Sequence, residues 1–270
     1  MNGFFDANRE LWDSRVEEHK KSDSYNVKGF LKGNLTLDPI DIEEVGDVRG
    51  KSLLHLQCHF GLDTMSWERL GATVIGVDFS GEAIVLARDL AKKATLSAKF
   101  IESNVYDLRD HLTQKFDVIF TSEGVIMWLN DLKKWAEIIN HFLKPGGIFY
   151  IREYHPFGYI FDDETEEPVL KVRYPYFQGS EPITYVSDST YTQPEKKIEA
   201  KRAYEWNHPV SQIINVLRHV GLQIEFFNEY PFSTFRTLSF MVQNDAGRWV
   251  LPEGEEFIPF MFSLKATKPK

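Results

Sequence analysis

The sequence predicts an α/β protein with a doubly wound, mostly parallel sheet, and three observations carry that prediction. From residue 52 short apolar runs alternate with longer segments whose apolar residues repeat at helical spacing, the pattern of βαβ units. A Lys144-Pro145-Gly146-Gly147 stop separates the last of these helices from the strand after it, because proline and paired glycines end a helix and start a turn. Crossovers between parallel strands are almost always right-handed, so consecutive units stack into one sheet with helices on both faces.

Residues 1–50 are expected to form a helical cap, with Trp12, His19 and Tyr25 on or just after a short amphipathic helix. Residues 51–155 form the core. Strands are expected at 52–57 (SLLHLQ), 73–78 (TVIGVD), 98–103 (AKFIES), 116–121 (FDVIFT) and 148–153 (IFYIRE). Helices are expected at 62–70, 81–93 and about 131–143; in the second, Ala83, Ile84, Ala87, Leu90 and Ala91 share a face and Ser80 suits the N-cap. Residues 156–206, broken by prolines, contain the alternating segments ITYVSDSTY and KKIEAKRAYEW and read as an inserted β-ribbon or lid. Residues 207–270 complete the sheet through a helix at 209–220, with Pro209 in its first turn and Gly221 past its end, and strands at 222–229 and about 257–267. The segment 231–256 carries no readable pattern.

At 270 residues, 43% hydrophobic and 26% charged, the chain has enough apolar material for one substantial core. The 14% aromatic content is high and concentrates before the core and beyond residue 150, as either pocket wall or ordinary packing. A net charge of −9 without a concentrated basic face argues against nucleic acid. No apolar run approaches a membrane span and the N-terminal segment carries charges throughout, so a cytoplasmic protein is expected, with no membrane partner. Cys58 is the only cysteine, which precludes an internal disulfide, and no metal site is expected.

In such sheets a ligand binds beyond the carboxyl ends of the strands, at the point where strand order reverses. The residues there are 57–61, 78–80, 103–105 and 122–124. Asp78, ending the second strand, is placed to accept both ribose hydroxyls of an adenosine-containing cofactor; the plainer reading is a helix-capping Asp, although Ser80 already suits the cap. Asn104 could bond the adenine amino group while Phe79 and Val105 pack on the ring, or it could be a turn residue.

The ordered set LLHLQCHFG, VIGVDFS, ESNVYDL, FDVIFTSEGV and LKPGGIFYI, over about residues 50–153, resembles the class I, Rossmann-like S-adenosylmethionine-dependent methyltransferases, as do the C-terminal helix and strands. The resemblance implies a seven-stranded sheet of order 3-2-1-4-5-7-6 with strand 7 antiparallel. It also implies S-adenosylmethionine as cofactor and His55, Gln57, Gly61, Asp78, Phe79, Ser80, Asn104, Val105 and Glu123 as cofactor contacts. One departure stands out. The family's first loop reads D/E-x-G-x-G-x-G, whereas this chain has His55-Leu56-Gln57-Cys58-His59-Phe60-Gly61 and keeps only the last glycine. Either His55 and Gln57 supply side-chain hydrogen bonds in place of the lost backbone contacts, or the loop no longer binds the cofactor.

Methyl transfer from a sulfonium depends mainly on positioning, with a base needed only if the acceptor keeps its proton. His155 is the expected general base and Glu123 a second catalytic candidate, with Tyr154, Trp206 and His208 beside the substrate and Trp12, His19 and Tyr25 in the lid. The expected activity is methylation of a small molecule. The rivals are a catalytically silent binding or assembly protein, and a nicotinamide oxidoreductase, which would want G-x-G-x-x-G where QCHFG stands. A β-ribbon insertion could pair across a homodimer.

Overall fold

A computed structural model describes residues 2–165, 167–177, 179–192, 195–252 and 258–270. Strand side chains alternate between faces, and here both faces are apolar. Leu54, Leu56, Ile119, Phe149 and Ile151 pack on one side and Leu53, Val118, Phe120 and Tyr150 on the other. The chain opens with α1 (Asn2–Lys21), α2 (Val27–Leu31) and α3 (Pro39–Val45), followed by β1 (Ser52–Leu56), α4 (Leu62–Arg69), β2 (Thr73–Asp78), α5 (Gly81–Lys93), β3 (Lys99–Glu102) and β4 (Phe116–Ser122). Next come α6 (Leu132–Phe142), β5 (Leu143–Tyr154), a hairpin of β6 (Ile183–Ser187) and β7 (Lys201–Glu205), α7 (Val210–His219) and β8 (Gln223–Tyr230). Three two-residue strands, β9 (Phe232–Ser233), β10 (Val242–Gln243) and β11 (Trp249–Val250), precede β12 (Met261–Thr267).

The main sheet has seven strands in the order β3-β2-β1-β4-β5-β12-β8, parallel except for β12, which is antiparallel to both neighbours. This is the expected order, β8 and β12 standing sixth and seventh in sequence. The helix α5 has the expected bounds and Ser80 caps it, accepting a hydrogen bond from Ala83 N–H. Helices α6 and α7 bury Trp135, Ile139, Phe142, Ile213 and Leu217 against one face, while Trp67 of α4 and Val45 of α3 cover the other.

Three expectations change. Lys144-Pro145-Gly146-Gly147 lies inside β5 rather than before it: Phe116 pairs with Leu143 and Val118 with Ile148, so the four residues form an outward excursion of one strand. Among the described residues of the insertion, strand pairing between named strands is confined to the β6–β7 hairpin, and an isolated bridge joins Phe161 to Val172, because the prolines interrupt regular alternation. The unreadable segment 231–256 holds a small sheet of order β10-β11-β9, whose two-residue strands are too short to leave a period. The expected start of the last strand at Phe257 lies outside the described residues, and β12 begins at Met261.

Candidate active site

The carboxyl ends of β1 to β5 open into a cavity of about 1080 Å³, roofed by α1, the segment after it and the β6–β7 hairpin. Its floor begins with the loop after β1. Gln57, His59 and Gly61 have φ of 56°, 49° and 73°, so the three positions that are glycine in the family motif all keep the left-handed conformation, two of them with side chains. Such a conformation costs a non-glycine residue about 1–2 kcal/mol, and local bonds offset it. Gln57 Nε2 donates to Val125 O at 2.9 Å, and His59 N–H donates to the Asp78 carboxylate at 2.7 Å. Gly61 survives for a second reason: a Cβ there would lie 2.3 Å from the Phe100 ring.

Asp78 closes β2 with its carboxylate at the cavity wall, accepting Ser80 N–H at 2.9 Å as well as His59 N–H. Burial pushes its pKa up to about 6, although the two backbone donors oppose the rise. After β4, Glu123 and Gly124 turn with φ of 49° and 77°. The buried Glu153 holds that turn by accepting N–H bonds from Gly124, Val125 and Ile126. Glu123 faces the cavity but is paired: Arg152 Nη2 lies 2.5 Å from its Oε1, and Thr234 donates to its Oε2 at 3.0 Å. Arg152 is itself buried and held by Asp41 through two bonds of 2.7 and 2.9 Å.

The roof is aromatic. Trp12 meets His59 and Trp128 edge-on, both at 5.4 Å between centroids, and Tyr25 stacks on His19 at 5.1 Å. Tyr25 and Tyr191 share a hydroxyl hydrogen bond. A chain of contacts crosses from floor to insertion: His59 Nε2 to His19 Nδ1 at 2.9 Å, and His19 Nε2 to Thr190 Oγ1 at 2.5 Å. Both imidazoles are kept neutral, burial pushing His59 down to about 3 and His19 to about 2.

Of the residues expected at the site, His55, Gln57, Gly61, Asp78, Phe79, Asn104, Val105, Glu123, Trp12, Tyr25, Tyr154 and Trp206 line the cavity. Four are placed elsewhere. His155 turns away, accepting Phe157 N–H on Nδ1 at 3.1 Å with Nε2 2.9 Å from Glu229 of β8, so it is no base for a substrate in the cavity. Ser80 is fully buried as a helix cap and donates to Asp13 of α1. His208 Nε2 donates to Leu129 O at 2.6 Å beneath the surface. His19 supports His59 from behind. Asn104 lines the cavity and also caps the 3-10 turn after β3 by accepting Tyr106 N–H, so its turn reading holds. His55 bonds Thr64 Oγ1 at 2.8 Å through Nδ1, and burial holds it neutral. Sequence reasoning missed Arg15, Arg152, Tyr191 and Thr234, which reach the cavity from α1, β5, the insertion and the segment after β9.

The structural match to known proteins is broad and the sequence match local. Residues 54–151 match the methyltransferase domain family. The mitochondrial ubiquinone biosynthesis O-methyltransferase of Rattus norvegicus is 30% identical over 125 residues, 45% of this chain and 36% of that one. The ubiquinone biosynthesis O-methyltransferase of Pelagibacter ubique is 32% identical over 144 residues, 53% of this chain and 59% of that one. The chain therefore spans less than two thirds of either relative. Crystal structures of S-adenosylmethionine-dependent methyltransferases from Clostridium acetobutylicum and Mesorhizobium loti share the fold. Their TM-scores are 0.57 and 0.53 at 13% and 18% identity, with 98% and 88% of this chain and 99% of each of theirs covered. Residues 54–151 thus resemble a methyltransferase domain, and the chain as a whole shares the Rossmann-like fold of those two S-adenosylmethionine-dependent methyltransferases.

Proposed function

We propose that the chain is an S-adenosylmethionine-dependent methyltransferase that methylates a small molecule in the cytoplasm, at an oxygen acceptor as in the O-methyltransferases it matches. The observation that carries the reading is the retention of left-handed backbone at Gln57, His59 and Gly61. Two of these positions bear the strain of a side chain, yet the loop still cradles the cavity floor beside Asp78.

The side chains present fit the cofactor. Asp78 would take the ribose hydroxyls, while Phe79, Val105 and Asn104 would flank the adenine. Gln57 Oε1 is buried with no hydrogen-bond partner, and an orphaned acceptor in the wall asks for a donor such as the ammonium of the methionine end. When bound, the cofactor supplies a methyl group activated on a sulfonium. Trp12 and the rest of the α1 roof would exclude water from that carbon. The chain's contribution is positioning, and an oxygen acceptor bound in its ionised form has already given up its proton to solvent and needs no base from the cavity.

Calorimetry with S-adenosylhomocysteine tests this. Micromolar affinity is expected, reduced about 10- to 100-fold in Asp78→Ala, the worth of charge-assisted hydrogen bonds. Because burial places Asp78 near 6, its ionised form prevails above that pH. Affinity should rise as pH increases through 6, and this dependence should be absent in Asp78→Asn. Equal affinity in wild type and Asp78→Ala would remove the ribose contact.

A further inference from the structure

Among the described residues three arginines line the cavity, and they differ in one respect. Arg152 is surrounded by Asp41, Glu123 and Asp38, with nitrogen-to-oxygen distances of 2.7, 2.5 and 3.8 Å. Arg173 is paired with Asp162 at 2.8 Å and Glu164 at 2.7 Å. Arg15, on α1, is only 6% exposed, yet among the described residues no carboxylate lies within ion-pairing distance of it. Its Nη2 donates to two neutral oxygens, Ser187 Oγ at 2.8 Å and Ser189 O at 3.3 Å, and its Nε is buried without an acceptor.

A guanidinium taken out of water without a counter-charge costs several kcal/mol, which proteins ordinarily avoid by pairing it. The surroundings do not supply the charge. Glu205, the acid that senses Arg15, makes no ion pair with it among the described residues; its carboxylate is bonded by the Tyr185 hydroxyl, and burial pushes its pKa up while Tyr185 and Arg15 pull it down. His19 and His59 are neutral. The other groups nearby are the face of Trp12, 5.6 Å from the guanidinium carbon, and the hydroxyls of Tyr25 and Tyr191. A fixed cation among neutral hydrogen-bond donors and flat aromatic walls is complementary to a planar anion.

We propose that Arg15 anchors a carboxylate carried by the methyl acceptor, so that the substrates of this protein are small, planar organic acids. The assignment rests on the methyltransferase reading only for the word acceptor; the anion site stands on the cavity alone. It also places the substrate, since the guanidinium sits under the α1 roof, tied to the hairpin through Ser187.

Ligand-observed NMR titrations with benzoate, benzamide and benzylamine, each with and without saturating S-adenosylhomocysteine, test the proposal. Benzoate is expected to bind at least about tenfold more tightly than its neutral and cationic isosteres. In Arg15→Gln that preference is expected to vanish with S-adenosylhomocysteine affinity unchanged, and in Arg15→Lys, which keeps the charge but not the fork, to be partly restored. Benzoate binding no better than benzamide, or a preference for benzylamine, overturns the proposal. So does a loss of S-adenosylhomocysteine affinity in Arg15→Gln, which would assign the guanidinium to the cofactor's own carboxylate. If wild type fails to bind S-adenosylhomocysteine but still selects benzoate through Arg15, the methyltransferase reading falls and the anion site remains.

Discussion

Gly61 concentrates the requirements of the cofactor loop in one residue. It sits at φ 73° as the N-cap of α4, and its missing Cβ leaves room for the Phe100 ring from β3. Gln57 and His59 show that the loop tolerates side chains at left-handed positions when they point into the cavity rather than the sheet. Gly61→Ala should therefore be more damaging than its size implies. Overpacking against Phe100 and the left-handed penalty together amount to about 2–4 kcal/mol, read as a lower urea midpoint. A variant within about 0.5 kcal/mol of wild type would mean that Phe100 moves aside freely. The loop was legible in the sequence as a position, because a sheet of this kind puts its ligand loop directly after β1. What its altered residues do was not, since nothing in QCHFG states that His59 leans on His19 or that Gln57 keeps an acceptor unsatisfied.

At the scale of elements, α1 is a strut rather than a loose flap. The fully buried Asn8 bonds the β7 backbone in both directions, donating to Tyr204 O at 2.8 Å and accepting from Tyr204 N–H at 2.9 Å, as a neighbouring strand would. Further along the helix, Asp13 accepts from Ser80 Oγ at the start of α5. The helix thus spans the cavity from the hairpin to the cofactor side. Asn8→Ala should cost about 1–3 kcal/mol, the price of an unsatisfied strand amide, and should speed hydrogen exchange at Tyr204 and along the hairpin while leaving β1, β2 and β4 protected. Uniformly faster exchange across the sheet would show that α1 stabilises the whole fold instead. The parallel strands and α5 were readable because each carries its own period and stop signals. The strut was not, because only the folded hairpin gives Asn8 and Arg15 partners about 170 to 200 residues away in sequence.

The whole molecule encloses a large cavity, and its response to pH depends on which groups the enclosure holds neutral. Burial, the leading cause in each case, pushes His19, His55, His59 and His155 down from 6.5 to about 2, 3, 3 and 4. It pushes Asp63 and Asp78 up from 3.8 to about 6, and Glu205 up from 4.5 to about 7. The signs oppose. As pH falls below 6.5 the unfolded chain protonates histidines that the native state leaves neutral, which destabilises the fold. Over the range from about 7 down to about 4 the native state gains protons on carboxyls that the unfolded chain keeps ionised, which stabilises it. Thermal melts should therefore change little between pH 6 and 4.5. Below about 4 those carboxyls are protonated in both states, and the histidines act together with Asp117, which, against burial, bonds from Lys144 and Ser52 hold at about 2, so stability should fall steeply towards pH 3. A steep fall already between pH 6 and 5 would mean that the carboxyls do not offset the histidines, and that Asp63, Asp78 and Glu205 sit in contact with water rather than in an enclosed site.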